Sequence, residues 1–177
     1  ILIYYDNYPP YGSAVLDACA ALWPTASVMA LTGYPGAQQA AFNTALTSGT
    51  WDIVIIESWY ADSDPVSFSG VATYYAGGGK VYASCWEWQN GTSGQMALLT
   101  ALGVTGVSPI SGRVIPHYAW ETAHLICDGI TDWGWQNPGL GVLNNRFTVG
   151  TALPVTGWTA STAVGQGGIC ASADGNG

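Results

Sequence analysis

Cys85 is the residue of this chain whose type and position most invite chemistry. It lies in Gly77 to Gln89, GGGKVYASCWEWQ, where a glycine turn feeds a short β-branched and aromatic run that ends in a cysteine flanked by Trp86 and Trp88. A thiol at the exit of a strand can be held out to a substrate, but it attacks only as the thiolate and so needs a base within reach. The imidazoles that could serve are His117 and His124, the 2 histidines of the chain.

A second constellation is His117, Glu121, His124 and Asp128. A helix would bring these spacings to one face, as metal or acid-base ligands require. HxxxExxH is no established zinc motif, however, and Trp120 and Leu125 between the ligand types suit a packed loop equally well. No metal or other cofactor is expected. Asp6, Asn7, Glu57 and Asp62 fall at or just after the ends of expected strands, where open α/β sheets bind ligands. Glycines 77 to 79 precede a strand instead of following one, so they read as a turn and not a phosphate cradle.

The 4 cysteines, Cys19, Cys85, Cys127 and Cys170, have no CxxC spacing. An even count fits two disulfides in an oxidising compartment, and buried thiols in an α/β core account for it as well. Asn90-Gly91-Thr92 is a glycosylation sequon, which makes Asn90 a candidate acceptor in a secreted chain.

Aromatic rings are abundant, with 9 Trp and 10 Tyr in 177 residues. Tyr8, Tyr11, Trp59, Tyr60, Trp86, Trp88, Trp133 and Trp135 sit beside expected strand ends, and the sequence predicts that some are exposed. Rings at loop tips offer large rigid area at low entropy cost, which suits sugar stacking or protein contacts. The expected ligand or interface residues are therefore Trp59, Tyr60, Trp86, Glu87, Trp88, Trp133 and Trp135.

The elements that must position these groups follow from pattern. Ile1 to Tyr5 is a short apolar run closed by Asp6, Asn7, Pro9 and Pro10, which predicts a buried first strand. Ser13 reads as the N-cap of a helix through about Trp23, with Val15, Leu16, Cys19 and Leu22 at helical spacing and Pro24 as its stop. Strands are expected over Ala26 to Leu31, Trp51 to Glu57 and Lys80 to Ser84. Helices are expected over Ala37 to Thr47, Val66 to Tyr75 and Gly94 to Leu102, the last turning Met96, Leu98 and Leu99 inward and capped by Gly103. WDIVIIE is apolar without alternation, as in a parallel strand covered on both faces.

Strand and helix thus alternate four times, the signature of βαβ units. The fold class expected is α/β, an open, mainly parallel sheet flanked by helices. After Val104 helical periodicity fades, and short, antiparallel strands are expected near Phe147 to Thr151, Val155 to Ala160 and Gly168 to Ala171. Residues 1–177 read as a single domain. Because no Met precedes Ile1 and the turn-like ASADGNG of 171–177 is followed by no strand, a piece of a longer chain is expected, its last strand absent or supplied by a neighbour.

Composition narrows the partners. Only 8% of residues are charged, against about a quarter in ordinary domains, and the net charge is −8. That charge repels phosphate backbones and anionic headgroups, so nucleic acid is not an expected partner. No apolar run approaches the roughly eighteen residues a membrane-spanning helix needs.

The order of elements, the GGGKVY strand start, the ALLTALG helix, the HLICDGI segment and the ADGNG turn resemble the class I glutamine amidotransferase-like superfamily, in particular its extracellular, ThuA-like or noncatalytic members. The resemblance covers most of the chain with motifs of low to moderate specificity, and it implies a flavodoxin-like sheet. Catalytic members carry an elbow G-x-C-x-G-x-Q, against which Ala83-Ser84-Cys85-Trp86-Glu87-Trp88-Gln89 keeps the cysteine and glutamine and replaces both glycines. Glu87 is too large for the close strand-to-helix approach an elbow needs. The family's His-x-Glu pair is also missing, since Ala119 and Ile126 follow the two histidines.

The leading functional expectation is a secreted, noncatalytic domain at the cell surface or outside it, self-associating or joining neighbouring domains in a surface layer, adhesive or filament through its Trp/Tyr-rich loops. A carbohydrate-binding or carbohydrate-processing accessory domain is the alternative, with exposed rings beside Asp6, Glu57 or Glu87. A Cys85-dependent hydrolase or amidotransferase is the third.

Overall fold

The structure, a computed structural model, describes residues 1–5, 14–32, 38–58, 67–85, 88, 91–112, 114–121, 123–124, 133–136, 142–158 and 165–177; at 14, 31–32, 39, 111–112, 114–117, 133–136 and 142–144 it describes the backbone alone. These residues gather into two compact units, Ile1–Leu98 with Asn176–Gly177, and Leu99–Gly175.

The first unit alternates strand and helix as its apolar runs require. Its elements are β1 (Leu2–Tyr5), α1 (Ala14–Leu22), β2 (Met29–Thr32), α2 (Gln39–Ser48), β3 (Ile53–Ser58), α3 (Phe68–Ala76) and β4 (Lys80–Cys85), with α4 (Ser93–Ala101) following. The four strands form one parallel sheet in the order β2-β1-β3-β4. The chain is therefore a mixed α/β protein.

Side chains alternate across a strand, so each strand feeds two cores. Ile1, Ile3 and Ile55 cluster with Cys19, Val15 and Leu16 of α1. Leu2, Tyr4, Val54 and Ile56, all fully buried, point the other way. On that side Phe42 of α2 meets Tyr4 edge-on, with centroids 5.8 Å apart. Next to α2 lies α3, where Gly70 permits a close approach: a Cβ there would stand 3.2 Å from Leu46 Cδ2. Trp51 ties these layers together, its indole N–H donating to the Ala45 carbonyl and its own carbonyl accepting from the Tyr74 hydroxyl, both at 2.8 Å.

Local signals set the ends of these elements. Ser67 caps α3 by accepting from the Gly70 amide at 3.1 Å, and α1 closes with Trp23 N–H on the Cys19 carbonyl before Pro24. Ser13, expected to cap α1, lies outside the described residues.

The second unit is built of antiparallel strands. β5 (Val104–Gly112) pairs with β8 (Val142–Val149), interrupted by a bulge between Val104 and Gly106. β6 (Val114–Ala119) lies between β7 (Trp133–Gln136) and β10 (Thr156–Gly157), while β11 (Gln166–Gly167) adds to β8 and β9 (Leu153–Pro154) pairs with β12 (Cys170–Ala171). Val155 is fully buried among Ala171 and Ala119. Antiparallel strands were expected here, but β5, β6 and β7 were not among them; the Gly and Pro of VTGVSPISG are residues that strands disfavour.

At the far end of the chain the expected turn forms: Gly175 has φ +73°, Gly175 N–H meets the Ser172 carbonyl, and Ser172 Oγ donates to Asp174 Oδ1 at 2.5 Å. Asn176 then accepts from the Val81 amide at 2.7 Å, on the outer edge of β4.

Candidate functional site

Cys85 is the last residue of β4, opposite Ser58 of β3. Both are buried, at 4% and 5% exposure. Residues 86–92 separate it from Ser93, the first residue of α4. A nucleophile elbow places its residue at the sharp turn where strand passes directly into helix, whereas α4 begins eight residues after Cys85.

Its partner is Gln95. The Gln95 Nε2 donates to Cys85 Sγ at 3.5 Å, while Gln95 Oε1 accepts from the Thr92 amide at 2.8 Å and the Gln95 amide donates to Thr92 Oγ1 at 3.3 Å. Thr92 and Gln95 thus form a reciprocal capping box at the start of α4, and its glutamine, fully buried, turns its side-chain NH2 to the thiol. A neutral amide cannot take a proton from Cys85. What the arrangement does chemically is satisfy buried polar atoms and fasten the end of β4 to the first turn of α4.

Trp88 completes this region, and here an expectation is corrected. Foreseen as a ligand or interface ring, it is 3% exposed and stacks at a tilt of 58° on Phe68, with centroids 5.5 Å apart. The Gly91 N–H donates to the Trp88 carbonyl at 3.1 Å. Trp59, Tyr60, Trp86, Glu87 and the sequon residue Asn90 lie outside the described residues. Trp133 and Trp135 lie on β7, their backbones opposite His117 and Ile115 of β6.

The histidine constellation takes a form other than a helix face. His117 is on a strand, while Glu121 and His124 form a turn beyond it in which the His124 amide donates to the Glu121 carbonyl at 2.9 Å; Asp128 lies outside the described residues. Among the described residues no group of His, Cys, Asp and Glu could hold a metal ion. Asp6, Asn7 and Asp62 also lie outside. Glu57 is half-buried on β3, and beside it is a ring that the sequence reading had not singled out. Tyr82 is 47% exposed, yet its hydroxyl is held above the ordinary tyrosine value by desolvation first and by Glu57 second, against a hydrogen bond with Ser84.

Cys19, Cys85 and Cys170 carry free thiols, the first two buried and the third half-buried; Cys127 lies outside the described residues. Burial raises the Cys19 thiol, the amino terminus partly offsetting it, and pushes Cys170 up to about 12.

Sequence reasoning missed Gln95. Its signal was present in Thr92-Ser93-Gly94-Gln95, a T-x-x-Q capping pattern. If the site is a lock, Gln95→Ala is expected to cost about 2–3 kcal/mol through one lost cap bond, the lost bond to Cys85 and a buried void, and Cys85→Ala about 1 kcal/mol. The double variant should cost less than the sum, because the residues touch. Urea unfolding of the three variants checks this, and strictly additive costs would mean that the thiol and amide are not coupled.

Compared with known families, curated proteins and solved structures, the chain has no significant match.

Proposed function

We propose that this chain is a noncatalytic α/β domain that works by assembly, outside the cell or at its surface, in a surface layer, adhesive or filament. One observation carries the reading: Leu22, Trp23, Val28 and Met29 are 67%, 47%, 39% and 44% exposed in a stretch that has no charged residue from 18 to 51. Large exposed apolar side chains within one short stretch that has no charged side chain mark a contact surface. The buried, amide-bound Cys85 supports a noncatalytic role. The sheet order β2-β1-β3-β4 matches the first four strands of the flavodoxin-like order and supports, as part of the proposal, kinship with noncatalytic amidotransferase-like domains.

A carbohydrate-binding role is the second reading, favoured by the open Tyr82 ring beside Glu57, since a ring and a carboxylate together can hold a sugar. A glycan array tests it, and an array without binding removes it.

The test of the leading reading is sedimentation across a dilution series, with thiol counting at pH 8 on the same sample. Persistent association and no fast thiol at Cys19, Cys85 or Cys170 are expected. With a value of about 12, Cys170 at pH 8 is thiolate to about one part in ten thousand. The fold prefers the neutral thiol there, so the stability it contributes is complete below the ordinary cysteine value and is lost as pH rises toward about 12. A dilution-stable monomer with a fast thiol at Cys85 would falsify the proposal.

A further inference from the structure

We infer that the β2 edge of the parallel sheet binds a second copy of this chain, β2 against β2 antiparallel across a two-fold axis at Ala30, with Leu22, Trp23, Val28 and Met29 closing over the join. The inference rests on the assembly reading and names its partner and its surface.

The sheet has two edges, β2 and β4, and they are guarded differently. On β4, the Val81 amide is already taken by the Asn176 carbonyl at 2.7 Å, and the strand begins with an exposed Lys80. Lysines and covering segments are common ways of blocking an edge. On β2 the Met29 amide donates inward to the Ile1 carbonyl at 3.0 Å, so by strand alternation the N–H and C=O of Ala30 face outward. Ala30 is exposed, and among the described residues none takes these groups. Neither β2 nor the chain on either side of it, from 18 to 51, has a charge.

Both flanks of this edge are apolar. Ala30 pairs with Ile3, which belongs to the α1 core, and Met29 pairs with Leu2, on the opposite face. On the Met29 side runs an open groove of about 460 Å³ lined by Met29, Ala40, Ala41, Thr44, Ala45 and Ser48. A small stable dimer buries about 600 Å² per copy, and Leu22, Trp23, Val28, Met29 and the groove wall would supply a large part of it.

Charge selects the occupant. A basic protein would be recognised through carboxylates, and nucleic acid or anionic lipid through several cations; the side chains of 18–51 supply neither, and the one cation beside them, the Ile1 ammonium, is taken up by the Ser27 carbonyl at 2.7 Å. Two copies each of net charge −8 repel one another elsewhere and meet most easily on a stretch without charged side chains. The geometry is self-complementary, since Ala30 exchanges both backbone bonds with Ala30 of the second copy and Val28 falls opposite Thr32. The expected salt dependence is distinctive: screening the residual repulsion tightens the dimer as salt rises, the reverse of an ion-paired interface.

The experiment is sedimentation velocity on the 177-residue chain, on Ala30→Pro and on Val28→Lys, with circular dichroism as the fold check. Proline at Ala30 removes only an outward N–H and is tolerated on an edge strand. Each variant should weaken dimerisation about tenfold or more. Ala30→Cys should give a disulfide-linked dimer joined at position 30 under mild oxidation, whereas Lys80→Cys on the other edge should not; this arm decides the matter if a variant fails to fold. Association unchanged in both variants, with no link at position 30, overturns the β2 interface and leaves assembly through another surface. A wild-type chain that stays monomeric at every concentration overturns both.

Discussion

Trp88→Ala is expected to lower the free energy of unfolding by about 3–5 kcal/mol, with Trp88→Phe costing well under half as much. The ring is 3% exposed and lies on Phe68, itself fully buried at the first position of α3. Truncation removes the indole's contacts with Phe68 and leaves a void that the surrounding backbone can only partly fill. It also loosens the anchor of the Gly91 amide, which donates to the Trp88 carbonyl at 3.1 Å. Guanidinium unfolding followed by far-UV circular dichroism measures the cost. A loss below about 1 kcal/mol, which is ordinary for a surface site, would return Trp88 to the class of ligand-facing rings and weaken the account of Cys85 as part of a buried lock.

The contrast at Trp88 shows what was legible in this sequence. The βα alternation of the first unit could be read because each strand is a short apolar run between turn residues; β1, β3 and β4 appear within a few residues of their expected ranges, and Leu98 and Leu99 turn inward as their spacing predicts. What could not be read was where a ring goes after its strand ends. The pattern WEW says only that aromatics follow Cys85, while burial of Trp88 depends on Phe68, some twenty residues earlier in the chain. Gln95 was hidden for a related reason. A polar residue on a helix is taken to face water until a buried acceptor is known, and Cys85 Sγ is revealed only by folding. In the second unit the β5–β8 ladder joins residues about forty apart, for example Ser108 with Arg146, where Arg146 Nε donates to Ser108 Oγ at 3.1 Å. Such pairing leaves little local trace, and the Gly and Pro of β5 point away from it.

Gly103 is the other position where one substitution should have a large effect, about 3 kcal/mol or more for Gly103→Ala. Two independent costs add there. The residue has φ +86°, a left-handed conformation that glycine adopts freely and alanine does not. A Cβ would also strike the Thr151 hydroxyl and stand 2.7 Å from the Ala152 backbone nitrogen, which cannot rotate aside as a side chain can. That nitrogen is held in place by Gly103 itself, whose carbonyl accepts from the amides of Gly150, Thr151 and Ala152 at 2.8, 3.1 and 3.2 Å. The glycine that ends α4 thus also anchors the chain between β8 and β9, so a shift that relieves the clash loosens those three bonds. Hydrogen exchange at residues 150–152 should accelerate in Gly103→Ala along with the loss of stability. Adding Thr151→Ala removes only the hydroxyl clash and should recover about 1 kcal/mol or less. Full recovery in the double variant would mean that the backbone conformation and the Ala152 approach cost nothing, and that Gly103 is required only for space.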